Sequence, residues 1–264
     1  MRWNFIFFLA LLFLCGCATE RQTTLLTYNI QIGLQVDHKT PNLENTAEVI
    51  RKIGAETVVL NEVDKKTDRT GFVDQPAFLA EKAGYPSVMF GMACMRNGGE
   101  YGNVVMSQFP LEKIALLDLP ANSYETRSAL VVKVLAPQPY YVVATHLTFE
   151  DTPEMEAVRV KAIDKIIDFI EEKQIEPVVL IGDLNTSPTG PVISRLRERN
   201  FTVINDIAPG EFSWPADQPS MLLDYMAFYP ADAAKIIDHK VQSEDKVSDH
   251  RPVTSTIVFL DKAE

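Results

Sequence analysis

The sequence predicts an α/β fold of the α+β kind, with mixed β-sheet structure flanked by helices. Strand segments alternate with a few helical segments, as in parallel sheets, and several strand segments follow one another directly, as in hairpins. The 264 residues are 46% hydrophobic and include no internal repeat and no Gly/Ser-rich linker. A chain of this length and composition is expected to bury one large core.

Nine segments are predicted as strands because β-branched, aromatic and other apolar residues dominate them. They cover residues 24–30, 57–63, 103–108, 128–134, 140–147, 177–183, 222–228, 234–241 and 251–259. Four segments are predicted as helices from helical apolar spacing or from a proline in the first turn. These helices cover residues 41–53, 75–83, 153–173 and 191–199, and the third carries an apolar face formed by Val158, Ala162, Ile166 and Ile170.

The N-terminus has the pattern of an export signal. One arginine precedes an apolar stretch from Phe5 to Leu14, which is too short to span a membrane comfortably. The sequence LCGC resembles the lipobox of bacterial lipoproteins, which implies removal of residues 1–16 and lipidation of Cys17. We therefore expect a tether over 17–22, a folded domain over 23–264, and a lipid-anchored protein of the bacterial cell envelope, on the outer membrane or the periplasmic face. An ordinary secretory signal or an anchor helix are the alternatives.

The net charge of −11 argues against non-specific binding to nucleic acid, since such binding needs clustered Lys and Arg. Removal of residues 1–16 takes away Arg2 and no acid, so the mature chain is more negative still. A local patch or a bound metal can reverse the field at one site, so charge alone does not exclude a nuclease. Cys94 is the only cysteine outside the N-terminal segment, which excludes a disulfide framework and a cysteine-based zinc site. We expect a monomer.

Polar residues recur at the ends of the apolar strands. Asp183 and Asn185 in VVLIGDLN are turn residues when taken alone, because their side chains bond nearby backbone groups. The same pattern nevertheless appears in six separate segments, where burial without partners would be costly. The residues concerned are Asn29, Glu62, His146, Asp183, Asn185, Asp224, Asp249 and His250.

The motifs LNEV, ATHL, GDLN, LDY and SDHRPV, in this order, resemble the endonuclease/exonuclease/phosphatase superfamily with the deoxyribonuclease I-like fold. The resemblance covers roughly residues 23–260. It implies a four-layer sandwich of two packed mixed β-sheets with outer helices. It also implies hydrolysis of a phosphoester substrate with Mg²⁺ or Mn²⁺.

The chemistry of phosphoester hydrolysis requires a cation, a base for water and donors to the phosphoryl oxygens. Because Mg²⁺ prefers carboxylate oxygens, we assign Glu62 as its first ligand, with Asn29 beside it and Asp249 nearby. His250 is the expected general base. The resemblance assigns Asp224 to orient His250.

Further roles are expected around the attacked phosphorus. Asp183 positions water or a metal, Asn185 donates to a phosphoryl oxygen, and His146 is either a second donor or the acid for the leaving group. Two weaker assignments are Asn103, as the residue that orients His146, and Arg127, as a phosphate contact. A second Asp-His pair, Asp238-His239, is expected at the surface, and the loop residues Asp37 and His38 are expected in solvent. Arg69 in TDRTG is expected as a turn charge, with contact to substrate as the alternative.

The chain departs from the resembled family at three positions. Ser187 stands where inositol polyphosphate 5-phosphatases carry Arg, Gln31 replaces an acid of the first motif, and Leu222 replaces an Arg before LDY. We expect hydrolysis of a small phosphodiester, a phosphomonoester or a lipid head group. A secreted nuclease is the alternative. A surface lipoprotein that binds without catalysis is a third possibility, which the retained acids and His250 disfavour.

Overall fold

The computed structural model describes residues 21–260, so the signal, Cys17 and most of the predicted tether lie outside the described residues. Within this range the chain forms four α-helices and twelve strands. The helices are α1 Leu43–Ile53, α2 Gln75–Ala83, α3 Pro153–Lys173 and α4 Pro191–Glu198. The strands are β1 Gln22–Asn29, β2 Thr57–Lys65, β3 Ser87–Arg96, β4 Gly99–Ser107, β5 Leu111–Leu119, β6 Arg127–Val134, β7 Tyr140–His146, β8 Val178–Asp183, β9 Thr202–Val203, β10 Asp224–Tyr229, β11 Ala234–Val241 and β12 Val253–Phe259.

The strands form two six-stranded mixed sheets, which confirms the predicted fold class. The first sheet has the order β11-β12-β1-β2-β4-β3 and the second β5-β6-β7-β8-β10-β9. Each sheet contains one parallel pair, β1 with β2 and β7 with β8, among antiparallel neighbours. The parallel pairs are the strands that helices connect, and the antiparallel pairs include direct hairpins.

Successive side chains of a strand point to opposite faces of its sheet. The two sheets therefore form three apolar layers, one between the sheets and one between each sheet and its helices. Leu25 packs between the two sheets, whereas its neighbour Leu26 packs against α1 and α2. In the same way Leu130 packs between the sheets and Val131 packs against α3 and α4. The layer order is therefore helices, sheet, sheet, helices, as the sequence predicts.

Three strands were not predicted: β3, β5 and the two-residue β9. The predicted strand 222–228 begins instead at Asp224, because Leu222 and Leu223 belong to the preceding loop. No helix within residues 21–260 is long and apolar enough to cross a membrane.

The topology brings the polar strand ends to one end of the sandwich. Asn29 ends β1, His146 ends β7 and Asp183 ends β8. In the parallel pair β7–β8, His146 lies opposite Asp183, and in the antiparallel pair β8–β10 Asp183 lies opposite Asp224. Ligand sites of α/β proteins commonly form at such carboxyl ends of strands.

Candidate active site

Gly182 allows β8 to lie tightly against β7 at the site. Its φ is +147°, and a Cβ added there would stand 1.8 Å from the carbonyl oxygen of Thr145. Only glycine tolerates both this backbone conformation and this approach. The glycine of the GDLN segment therefore sets the position of Asp183 beside His146.

His250 and Asp224 form a buried pair. Nδ1 of His250 lies 2.8 Å from Oδ2 of Asp224, and Nε2 of His250 lies 3.7 Å from Oδ2 of Asp183. Burial alone would lower the pKa of His250, but the charge and hydrogen bond of Asp224 outweigh it and raise the pKa to about 10. The geometry is that of an imidazole oriented by a carboxylate, with Nε2 directed toward Asp183.

Asp183 is held from several sides. Its Oδ2 accepts a hydrogen bond from Nδ2 of Asn29 at 3.1 Å, and its Oδ1 accepts one from the backbone N–H of Asn185 at 3.0 Å. Its own backbone N–H donates to Oδ1 of Asn61. Burial, followed by repulsion from Asp224, raises the pKa of the Asp183 carboxyl. Asp183 is thus a fixed acceptor between the two histidines.

Glu62 lies at an irregularity of β2. The register between β2 and β4 shifts between Leu60 and Val63, and Glu62 has a φ of +56°. A left-handed residue inside a bulge re-aims its side chain, and Oε1 of Glu62 accepts from Nδ2 of Asn29 at 3.1 Å. Contacts of 3.1, 3.1 and 3.7 Å thus connect Glu62 through Asn29 and Asp183 to His250.

The acids of the pocket suit a divalent cation. Burial, followed by repulsion from Asp249, raises the pKa of Glu62, so the fold holds two carboxylates together at an energetic cost. Hard oxygen donors that repel one another in this way are the donor set that Mg²⁺ or Mn²⁺ prefers. Asp183, Asp224 and His250 also form a group that could hold a metal ion. One carboxylate oxygen or ring nitrogen from each of them lies within 4.8 Å of the corresponding atoms of the other two. Within that group, Oδ2 of Asp224 is already bonded to Nδ1 of His250.

Asn29 lies beside Glu62, as predicted. Its Nδ2 faces Glu62 and Asp183, and its Oδ1 accepts from the backbone N–H of Gln31 at 3.1 Å. In this arrangement Asn29 links the two carboxylates through its N–H groups. Ligation of a cation through Oδ1 would require the carboxamide to turn over.

The predicted contact between Asn103 and His146 is not made. Oδ1 of Asn103 accepts from Asn61 at 2.8 Å, and its Nδ2 donates to the backbone oxygen of Ser128. The partner of His146 is instead Arg127, whose NH1 lies 3.2 Å from Nδ1 of the imidazole. Asn103 therefore supports the packing of the sheets and does not orient His146.

Asn185 adopts a left-handed conformation directly after β8. Its φ is +48°, and its Nδ2 donates to the backbone oxygen of Leu147 at 3.1 Å. One N–H and the side-chain oxygen then remain for other partners, and Asn185 lines the pocket. The predicted donation to a phosphoryl oxygen is compatible with this placement.

One cavity of about 1080 Å³ is lined by Glu62, His146, Asp183, Asn185, Asp249 and His250. The cavity also contains Arg96, which the sequence analysis missed. The guanidinium groups of Arg69 and Arg96 lie 5.5 and 6.0 Å from the ring centre of Tyr101. Arg69 was expected as a turn charge, and it pairs with the fully buried carboxylate of Asp64 at 2.7 Å. Phe212, Trp214, Met221 and Leu222 contribute further apolar lining residues.

Two other histidines lie outside the catalytic group. His239 was expected at the surface, yet it is buried, and its Nδ1 lies 2.8 Å from Oγ of Ser255. The alternation of β11 turns Asp238 to solvent and His239 inward. His38 is exposed, as expected, but its ring contacts Gln31 and lies at the edge of the pocket.

A histidine–carboxylate pair beside grouped acids, at the strand ends of a two-sheet sandwich, defines an acid–base hydrolase. Residues 26–250 match the model of the Endonuclease/Exonuclease/phosphatase family, and the chain belongs to this family. Its members are typically phosphoester hydrolases.

Known proteins resemble the chain over most of its length. It is 23% identical to the uncharacterized protein YbhP of Escherichia coli K12, over 88% of this chain and 94% of YbhP. A solved endonuclease/exonuclease/phosphatase from Beutenbergia cavernae has a TM-score of 0.74 at 24% identity, over 90% of this chain and 72% of that one. The human Nocturnin catalytic domain has a TM-score of 0.67 at 15% identity, over 90% of this chain and 94% of that domain. The two solved structures support the fold alone.

Proposed function

We propose that the protein is an exported, lipid-anchored phosphoesterase that depends on Mg²⁺ or Mn²⁺ and hydrolyses a small phosphodiester or phosphomonoester. The observation that carries this proposal is the 2.8 Å contact between Asp224 and His250, because His250 lines a cavity that Glu62 and Asp249 also line. An oriented imidazole and a repelling acid pair are the two parts that metal-assisted attack by water requires.

In the proposed reaction the neutral form of His250 takes a proton from the attacking water through Nε2, while Asp224 fixes the ring and stabilises its charged form. Because the pKa of His250 is raised to about 10 in the metal-free site, this neutral form is the minor one at neutral pH. Asp183 orients the water, since its Oδ2 lies within 4 Å of Nε2 of both His250 and His146. The second N–H of Asn185 donates to a phosphoryl oxygen. Glu62 and Asp249 would hold the divalent ion, which would supply positive charge to offset the negative charge that develops on the phosphoryl group.

The size and charge of the pocket favour a small substrate. A cavity of about 1080 Å³ is large enough for a phosphoryl group together with an organic moiety. The arginines beside the site are mostly paired with acids, Arg69 with Asp64 and Arg96 with Glu125. The net charge of −11 and this pairing disfavour a long polyphosphate backbone.

The direction of β1 indicates which end of the domain would lie next to the membrane if Cys17 carries lipid. Gln22 begins β1 and Asn29 ends it at the pocket, roughly 23 Å further along at about 3.3 Å per residue. Lipid on Cys17 would therefore attach the domain by the end of the sheet opposite the pocket. This geometry supports a soluble phosphoester over a lipid head group of the anchoring membrane.

A substrate screen with purified mature protein tests the activity. The panel comprises a small diester, a small monoester, sugar phosphates, sphingomyelin vesicles, plasmid DNA and RNA, each with Mg²⁺, with Mn²⁺ and with EDTA. We expect EDTA-sensitive release from a small ester, and a loss of about two to four orders of magnitude in His250→Ala. Stronger metal-dependent cutting of plasmid or RNA than of any small ester would favour the nuclease alternative. Binding without turnover across the panel would favour the non-catalytic lipoprotein.

The anchor has a separate test. Expression in a bacterial host with a labelled fatty acid should label the wild-type chain and leave Cys17→Ser unlabelled. An unlabelled wild type that is released into the periplasm would contradict the anchor and leave the proposed chemistry standing.

A further inference from the structure

Arg127 and His146 meet at the pocket from neighbouring strands. Arg127 is the first residue of β6 and His146 the last residue of β7, and these strands are antiparallel, so both side chains lie at the same edge. They are 3% and 4% exposed, respectively. NH1 of Arg127 lies 3.2 Å from Nδ1 of His146.

The chemistry of arginine decides which way this hydrogen bond runs. A guanidinium group has five N–H donors and no acceptor, so Arg127 donates and Nδ1 of His146 accepts. An imidazole that accepts at Nδ1 carries its proton at Nε2 when it is neutral. Nε2 in turn lies 3.6 Å from the acceptor Oδ2 of Asp183, which suits an N–H group at that position.

Arg127 is itself held firmly. Its NH2 lies 2.7 Å from Oε1 of Glu125, and its side chain is 3% exposed. The pKa of His146 lies well below its ordinary value, through burial first and then through the positive charges of Arg127 and His250. Both effects oppose an imidazolium at position 146.

From this geometry we infer that Arg127 is a positioning residue, which holds His146 as the neutral Nε2–H tautomer and thereby makes His146 a hydrogen-bond donor. This inference rests on the proposed function for its role in turnover. It resolves the two roles open for His146, because a neutral donor stabilises a phosphoryl oxygen, whereas a leaving-group acid must lose and regain a proton. An acid at the place of Arg127 would favour the opposite protonation of the ring.

The tautomer is measured directly by nitrogen NMR of the full mature chain labelled in its histidine rings, without metal or substrate. The sequence has four histidines, and His146→Ala identifies the signals of this ring. We expect a protonated Nε2 and an unprotonated Nδ1 at neutral pH. A protonated Nδ1, alone or in an imidazolium, would overturn the inference.

Variants test the part played by Arg127. Arg127→Met removes the donor and should shift the Nδ1 resonance of His146, and Arg127→Lys should restore the shift at least in part. Arg96→Met removes another arginine of the same pocket, which pairs with the same Glu125, and should leave the His146 signals in place. An Nδ1 resonance unchanged in Arg127→Met would contradict the inference.

Measurements of turnover then distinguish the proposed phosphoesterase function from the positioning role of Arg127. On a substrate from the screen, Arg127→Met should lower kcat by about 10²-fold with a smaller change in KM, the cost of misplacing one donor at the site. An unchanged kcat would overturn the role in turnover. If no ester is cleaved, the NMR result still decides the tautomer, so failure of the proposed function and failure of this inference are distinguishable.

Discussion

Nδ1 of His250 lies 2.8 Å from Oδ2 of Asp224, and both side chains are buried beside a third acid, Asp183. Asp224 begins β10 directly opposite Asp183 on β8, so the register of two strands fixes the pair. The second oxygen of Asp224, Oδ1, is buried without a hydrogen-bond partner among the described residues. His250 is thus the side-chain partner of the Asp224 carboxylate, and a carboxylate bonded to Nδ1 in this way fixes the orientation of an imidazole base.

Asp224→Asn should lower kcat by about 10²- to 10⁴-fold with little loss of folding, because the amide keeps the shape but does not stabilise a charged imidazole. Residues that act as one unit are not additive, so Asp224→Asn combined with His250→Ala should be no slower than His250→Ala alone. Steady-state kinetics on one ester measures all three variants. Asp206→Asn, which changes an exposed acid, is the control. Multiplicative losses in the double variant would contradict the pairing.

Glu62→Gln should change stability in opposite directions with and without metal. The raised pKa of Glu62 means that its ionised form destabilises the fold as pH rises, so Gln should raise the metal-free unfolding temperature at neutral pH. The same change removes a ligand, so Mn²⁺ should bind at least about tenfold more weakly and stabilise less.

Calorimetric titration of Mn²⁺ and thermal unfolding measure these two effects. Glu172→Gln, at an exposed position of α3, should change neither. An unaltered Mn²⁺ affinity in Glu62→Gln would remove Glu62 from the cation site.

His146→Gln should retain more activity than His146→Ala, because Nε2 of glutamine reaches nearly the place of the imidazole Nε2 and is also a neutral donor. A difference of about tenfold or more in kcat is expected if His146 only donates. A leaving-group acid predicts equal losses in both variants. The comparison needs no structural assignment beyond the 3.6 Å contact of Nε2 with Asp183.

The strand ends show what a single sequence reveals about the site. An isolated acid or amide after a buried strand is ambiguous, but Asn29, His146 and Asp183 each end a strand, and parallel neighbours bring such ends together. The continuous apolar run of β8 likewise predicts a strand that is covered on both faces. Expectations of this kind depend only on local pattern.

Features that depend on the partner strand could not be predicted in this way. The segment LEKIALLDL consists mostly of helix-forming residues, yet pairing with β6 makes it β5. The contact of Arg127 with Nδ1 of His146 likewise depends on cross-strand position, whereas an arginine before a strand is usually solvated. A usable signal was available for β3, because Asn97-Gly98 between two strands is a strong hairpin signal.

His239 should make the unfolding free energy sensitive to acid. Burial lowers its pKa against the opposing charges of Glu211 and Asp238, so below about pH 6.5 the unfolded chain binds a proton that the folded chain does not. Stability from this residue is therefore fully present above that pH and falls as pH drops, until the folded pKa is passed. In urea unfolding from about pH 7.5 to about pH 5, His239→Gln should lose less stability than the wild type.

The exposed His38 provides the matched control, since His38→Gln should keep the acid sensitivity of the wild type. Equal slopes for His239→Gln and the wild type would show that burial of His239 does not govern this part of the pH dependence.

Asn61 should be needed both for stability and for the correct position of Asp183. Its Nδ2 donates to Oδ1 of Asn103 and to the backbone oxygen of Thr145, and its Oδ1 accepts from the backbone N–H of Asp183. Asn61 lies on the first sheet, whereas Thr145 and Asp183 lie on the second, so one carboxamide fixes the sheets to each other beneath the pocket. Asn61→Ala leaves buried polar groups without partners and should cost about 2–4 kcal/mol of unfolding free energy.

The same variant should lower kcat more than it raises KM, because Asp183 loses the bond that sets its backbone. Urea unfolding and steady-state kinetics at a temperature where the variant is folded separate the two effects. Asn45→Ala, at an exposed position of α1, removes a carboxamide that does not cross between sheets and should leave both values near those of the wild type. Full activity in a folded but destabilised Asn61→Ala would show that the bond holds the sandwich together without positioning Asp183.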